Sequence, residues 1–168
     1  MMDIYIIRHG AAVELDNEIA EEGFRYLSQE GRKRTEEVAI KLKELHTHFD
    51  LILSSPLVRA VQTAEIIAAV LEYESEIKTA IEMKGGNSFV RFQQLLKRHS
   101  KNKSIAAIGH APDVHHYMLN LLSRDSSLEL KVHFHSSSVC KIRYDPKSES
   151  GRFVWFLGSD TMELTLPG

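Results

Sequence analysis

Two arginines and two histidines stand out in this chain of 168 residues for the chemistry they could do together. Arg8 and His9 directly follow the apolar run Ile4-Tyr5-Ile6-Ile7. Leu51-Ile52-Leu53 runs into Ser54-Ser55-Pro56, with Arg59 one helical turn further on, and Ile105-Ala106-Ala107-Ile108 runs into Gly109-His110. A guanidinium presents a planar fork of donors that matches phosphate oxygens. A helix starting after Pro56 adds backbone amides and a favourable dipole. The set predicts a small, locally positive pocket for a phosphate dianion. Arg8-His9-Gly10 alone could simply end a strand. A second Arg and a second His that follow separate apolar runs in order are what a convergent site requires.

For these residues to converge, the elements before them must be parallel strands. The three runs do not alternate with polar residues, which fits strands buried on both faces. Helical patterns lie between them: Val38, Ala39, Leu42 and Leu45; then Leu57, Ala60, Ala64, Ile67, Ala68 and Leu71; then Phe92, Leu95 and Leu96; then Val114, Met118, Leu121 and Leu122. Pro56 and Pro112 fit the first turns of helices, with Ser55 as a cap. Strands alternating with helices predict a three-layer α/β/α fold with a mainly parallel sheet. In such sheets ligands bind beyond the carboxyl ends of the strands. Cys140, Ile142 and Tyr144, then Phe153, Trp155 and Leu157, alternate with polar neighbours around a turn-rich segment. They predict an antiparallel hairpin at one edge. A short strand around Ile77 to Ile81 is weakly signalled.

Composition narrows the classes. A length of 168 residues predicts a single domain, 1–168. A net charge of −2 argues against a general nucleic-acid binder or a polybasic membrane binder. The single Cys excludes an intramolecular disulfide framework. No apolar run approaches the ~18 residues of a membrane span, and no secretory pattern is visible, so a cytoplasmic location is the default expectation.

The residues quoted above carry a family resemblance. Arg8-His9-Gly10 resembles the R-H-G signature of the histidine phosphatase superfamily, which includes phosphoglycerate mutases. The stretch from Ser55 through Arg59-Ala60-Val61-Gln62-Thr63 resembles its S-x-x-x-R-A-x-Q-T motif, and Gly109-His110 its third motif. Leu27-Ser28-Gln29-Glu30-Gly31 is similar to the L-T-x-x-G that opens its first long helix. The short length and the His110-Ala111-Pro112 sequence are most similar to SixA-type phosphohistidine phosphatases. Leu15 stands where mutases share Asn, and Ala11 where many relatives carry a polar residue. The segment from Leu71 to Asn87 lacks the large mutase insertion.

The resemblance implies a phosphatase with His9 as nucleophile, passing through a phosphohistidine enzyme intermediate without cofactor or metal. Arg8, Arg59 and His110 would bind the phosphoryl oxygens, and the non-attacking nitrogen of His9 would donate to a backbone carbonyl near Gly10. Glu82 falls where relatives acting on esters place a general acid, though it could equally be a solvated carboxylate. An imidazole leaves phosphorus far more readily than an alkoxide, so a phosphohistidine phosphatase needs little help from an acid. The expected substrate is a protein phosphohistidine, the partner a phosphorylated protein. The alternatives are a small phosphate ester hydrolysed with Glu82 as acid, or a phosphate- or phosphoprotein-binding module without turnover.

The remaining histidines invite blander readings. His115 and His116 are adjacent on a helix and diverge by about 100°, which argues against a metal site with Asp113. His133 and His135 would face the same side if Phe134 is in a strand, either near the phosphate rim or on a solvated edge, with the solvated edge favoured. His46, His48 and His99 sit at helix ends among charges. Gly85-Gly86 reads as a turn or a mobile rim loop rather than a phosphate cradle, Cys140 as a buried inert thiol, and Arg32-Lys33-Arg34 as a solvated helix face.

Overall fold

The computed structural model describes residues 1–16, 18–19, 21–122 and 131–168. Four strands form the parallel half of a seven-stranded sheet: β1 (Met2–Arg8), β2 (Leu51–Ser54), β3 (Lys78–Thr79) and β4 (Ser104–Gly109). The antiparallel half comprises β5 (Val139–Asp145), β6 (Ser150–Leu157) and β7 (Leu164–Thr165). The order is β3-β2-β4-β1-β5-β6-β7. β1 therefore lies at the junction, parallel to β4 on one side and antiparallel to β5 on the other.

Each apolar run alternates between two cores. Ile4, Ile6, Ile105 and Ala107 pack with Phe92, Leu95, Val114, Tyr117 and Met118 from α3 (Phe89–Arg98) and α4 (Asp113–Leu121). Tyr5, Ile7, Ala106 and Ile108 pack with Val38, Leu42, Ala60, Ala64 and Ile67 from α1 (Gln29–Glu44) and α2 (Val58–Val70). Helices thus cover both faces, which is why the strands show no polar alternation. The expected three-layer α/β/α architecture is the one found.

Local details depart from the expectations in several places. The hairpin β5–β6 is not itself the edge, because β7 pairs outside it. Ser55 does not cap α2: the N-cap is Leu57, whose N–H donates to Ser55 Oγ at 3.2 Å. Pro56 and Leu57 form the bend between strand and helix, so Pro56 precedes the first turn of α2, and Pro112 is the N-cap of α4 rather than a first-turn residue. His133 and His135 lie in a segment without regular structure rather than in a strand. Helix α1 starts earlier than its apolar repeat, because Ser28 Oγ accepts the N–H of Gly31 at 3.0 Å.

The start of α1 is pressed against the turn after β1. Ser28 donates its backbone N–H to the Ala11 carbonyl at 3.0 Å. A Cβ on Gly31 would lie 2.0 Å from that same oxygen. Gly31 is thus required by a backbone approach, and that approach fixes the segment leaving His9-Gly10.

Candidate functional site

The carboxyl ends of β1, β2 and β4 are stitched together. His9 donates its backbone N–H to Gly109 O at 3.0 Å, and Ser55 donates to Ile108 O at 2.9 Å. Parallel register sets Arg8 opposite Gly109, so His9 and His110 emerge side by side. Their rings lie 4.9 Å apart between centroids.

His9 is held in one tautomer. Its Nδ1 lies 2.7 Å from the carbonyl oxygen of Gly10. A carbonyl only accepts, so Nδ1 carries the proton and Nε2 keeps its lone pair. That lone pair accepts from Arg59 Nε at 3.3 Å. Burial is the main cause that lowers the His9 pKa to about 4, reinforced by the charges of Arg59, Arg8 and Arg25 and opposed by the Gly10 hydrogen bond. The ring is therefore neutral near pH 7, with an available nitrogen.

The Gly10 peptide is fixed from its other end too. Its N–H donates to Thr63 Oγ1 at 2.9 Å, while the Thr63 hydroxyl donates to the Arg59 carbonyl at 2.7 Å. Gln62 Oε1 accepts the N–H of Leu27 at 2.8 Å. The Arg-Ala-Val-Gln-Thr stretch thus supplies one guanidinium and two ties. A third tie comes from Ser137, whose backbone N–H is shared between the carbonyls of Arg8 at 3.0 Å and His9 at 3.2 Å. Its Oγ lies 2.9 Å from Thr35 Oγ1.

Arg59 is 6% exposed. Its Nη1 donates to the Glu22 carbonyl at 2.9 Å, and its Nη2 pairs with Glu22 Oε1 at 3.1 Å. Arg25 holds the same carboxylate, with Nη1 2.9 Å from Oε1, and anchors itself by donating from Nε to Val13 O at 2.7 Å. Arg8 donates from Nη1 to Phe134 O at 2.7 Å, while its Nε is buried without a hydrogen-bond partner.

His110 is likewise buried, with Nε2 2.7 Å from Ser55 Oγ and Nδ1 unpartnered. Burial, then the neighbouring His9, Arg59 and Arg8, lower its pKa to about 3. Two buried nitrogens without partners at the rim of one cluster fit a site made to receive oxygen acceptors.

Arg8, His9, Arg59 and His110 therefore meet where the strand order placed them. Glu82 does not join their hydrogen bonds. It lies in a single turn, Ile81–Met83, and its carboxylate is ion-paired with Arg98 at the end of α3. Its pKa is lowered, first by its own backbone N–H and then by Arg98, against the partial burial that raises it. His133 and His135, exposed, stack edge to face 4.6 Å apart and flank the Phe134 carbonyl that Arg8 uses. Among the described residues no cluster of three or more His, Cys, Asp or Glu side chains could hold a metal. No helix there is long and apolar enough to cross a membrane.

The sequence did not single out Glu22, Arg25, Thr63 or Ser137. Thr63 lies inside a recognised motif, but its role needs the Gly10 N–H beside it. Arg25 stands just before the Leu27-Ser28 helix start, and Glu22 only gains meaning from its contact with Arg59.

Comparison with known proteins gives the family and the fold. The model of the histidine phosphatase superfamily (branch 1) matches residues 4–87. A protein of Picosynechococcus sp., described as uncharacterized, is 38% identical over 116 residues, covering 67% of this chain and 68% of its own. Among solved structures, the protein histidine phosphatase SixA complexed with tungstate superposes with a TM-score of 0.85 at 25% identity, over 96% of this chain and 100% of that one. A phosphoglycerate mutase from Bacillus anthracis shares the fold, with a TM-score of 0.65 at 14% identity over 90% of this chain and 91% of that one. With its Arg8-His9-Gly10 turn and second motif both inside the matched region, the chain belongs to the histidine phosphatase superfamily (branch 1) and is SixA-like in structure.

Proposed function

We propose that this phosphatase-family protein hydrolyses phosphohistidine on a partner protein, through a phosphohistidine intermediate on His9 Nε2. The observation that carries the reading is the fixed tautomer of His9. Nδ1 is bound to Gly10 O at 2.7 Å, Nε2 bears the lone pair, and the ring is neutral with a pKa of about 4. A module that only binds phosphate has no need of a free, oriented imidazole nitrogen.

In the first step the Nε2 lone pair forms a bond to phosphorus as the P–N bond to the substrate imidazole breaks. The substrate ring carries a proton on its other nitrogen, so it keeps that electron pair and departs as neutral imidazole. In the second step water attacks phosphorus, the P–Nε2 bond breaks, and inorganic phosphate and neutral His9 result. Charge spreads over the equatorial phosphoryl oxygens. The Nε–H of Arg8, the Arg59 guanidinium and the His110 ring are the donors that meet it. If the Ser55 hydroxyl donates to His110 Nε2, then Nδ1–H is the donor turned toward the phosphoryl group.

The ester reading needs a proton on Glu82. Arg98 and the backbone hydrogen bond keep that carboxylate ionised, which favours a leaving group that needs no strong acid. This supports an imidazole as the leaving group, in keeping with a protein phosphohistidine as substrate. The lone cysteine suits a reducing compartment such as the cytoplasm. The sheet that runs from β3 to β7 across the whole chain suits one domain over 1–168.

The test is a comparison of kcat/KM on a phosphohistidine peptide, phosphoserine and a sugar phosphate, with His9→Ala alongside. The reading expects a strong preference for phosphohistidine and loss of turnover in the variant. A large preference for an ester, or turnover that survives His9→Ala, overturns it.

A further inference from the structure

Every nitrogen of the Arg59 guanidinium is already engaged: Nε with His9 Nε2, Nη1 with the Glu22 carbonyl, and Nη2 with the Glu22 carboxylate. Nε and Nη2 lie on the same edge of the guanidinium, with parallel N–H bonds suited to two oxygens of one anion. That edge now spans the lone pair of His9 on one side and Glu22 Oε1 on the other. Once Nε2 is bonded to phosphorus it has no lone pair left for Arg59. The edge must then turn to phosphoryl oxygens, and Glu22 Oε1 stands on one of its two donors.

We propose that the Glu22 carboxylate is a resident stand-in for a phosphoryl oxygen on Arg59, displaced when the phosphoryl group binds and returning as phosphate leaves. This rests on the reading of Arg59 as a phosphoryl ligand. The displacement needs little rearrangement. Glu22 Oε1 and Oε2 lie 2.9 and 3.1 Å from Arg25 Nη1, so the carboxylate keeps a cationic partner after leaving Arg59. Glu22 is 54% exposed at its side chain, whereas Arg59 is 7% exposed at its own, so the carboxylate is the partner free to move. The Glu22 carbonyl can stay on Nη1 and keep the guanidinium oriented throughout.

Glu22 is then a positioning residue. It prevents the empty site from holding an unpaired buried guanidinium, and it weakens the grip on the product. Removing it has a signature that simple structural damage cannot mimic: binding of the product becomes tighter, not weaker.

The experiment is a titration of the full chain with inorganic phosphate at low ionic strength, followed by NMR shifts of the His9 and His110 rings. Glu22→Gln is expected to lower the dissociation constant about three- to fivefold, the scale of one partly exposed ion pair. Glu21→Gln, which removes a neighbouring charge, is expected to leave it nearly unchanged. Glu22→Ala serves as a second variant, because Gln can still offer an oxygen to Nη2. Stronger product inhibition in both Glu22 variants is the kinetic counterpart. Unchanged or weaker phosphate binding in both, or equal tightening in Glu21→Gln, overturns the proposal. Phosphate binding that is insensitive to Arg59→Gln overturns instead the reading of Arg59 on which it rests.

Discussion

The Nε–H of Arg59 approaches Nε2 of His9 at 3.3 Å, so the unprotonated nitrogen of that imidazole faces a guanidinium across a single hydrogen bond. The pairing depends on which edge of the side chain is presented, not on its charge alone. Lysine in place of Arg59 keeps the charge and loses the edge. Arg59→Lys is therefore expected to lower kcat by about 100-fold, the scale of one oxyanion donor. Steady-state kinetics on a phosphohistidine peptide checks this, with circular dichroism confirming the fold.

Burial and three nearby guanidinium groups also determine when His9 is neutral. Ring-proton NMR titration is expected to give a midpoint near 4 for His9 and near 3 for His110. A midpoint above about 6 for His9, close to the ordinary histidine value, contradicts the account of its surroundings. The same shifts make folding depend on pH. The unfolded chain takes up these protons near 6.5, the folded one only near 4 and 3, so the unfolded state binds more protons in between. The contribution of the two rings to stability is full above pH 6.5 and falls as the pH drops from there through the folded-state values. Urea titrations across that window measure it.

The approach of α1 to the turn after His9 has no slack. Gly31→Ala places a methyl group 2.0 Å from the Ala11 carbonyl oxygen, so either the helix or the turn must move. A loss of about 3 kcal/mol is expected in equilibrium unfolding, at the upper end of overpacking costs. Gly23→Ala is the control, since a Cβ there meets only Leu57 at 3.9 Å. A similar loss at both positions contradicts the argument.

Much of this was legible in the sequence, and for a physical reason. Ile4 to Ile7 and Ile105 to Ile108 are apolar without alternation because helices cover both faces of the sheet. That pattern alone puts Arg8, His9 and His110 at the same rim. Ser55 reads as a helix cap in the sequence because local spacing does not show that His110 stands 2.7 Å from its hydroxyl. Glu22 and Ser137 were invisible for a similar cause. Glu22 lies 37 positions from Arg59, and the backbone contacts of Ser137 reach Arg8 and His9 across most of the chain. Neither has a periodic or spacing signal. Glu82 shows the converse: its place in the sequence suggests a role, but Arg98 holds its carboxylate.

Glu82→Gln accordingly separates the two substrate classes. Phosphohistidine hydrolysis is expected to change less than about twofold, since a charge pair at a largely exposed Arg98 contributes little. A loss of about 100-fold or more, the range of general acid catalysis, assigns Glu82 to proton donation after all. Parallel assays on a phosphohistidine peptide and a phosphate ester distinguish these outcomes.

The central claim is that phosphorus becomes bonded to His9 Nε2. Rapid acid-free quenching during turnover of a phosphorus-32-labelled phosphohistidine peptide, followed by peptide mapping, tests it directly. The account predicts an acid-labile, alkali-stable label on His9 in the wild-type chain and none in His9→Ala. Full turnover with no labelled enzyme under conditions that trap the substrate itself, or label on another residue, contradicts it.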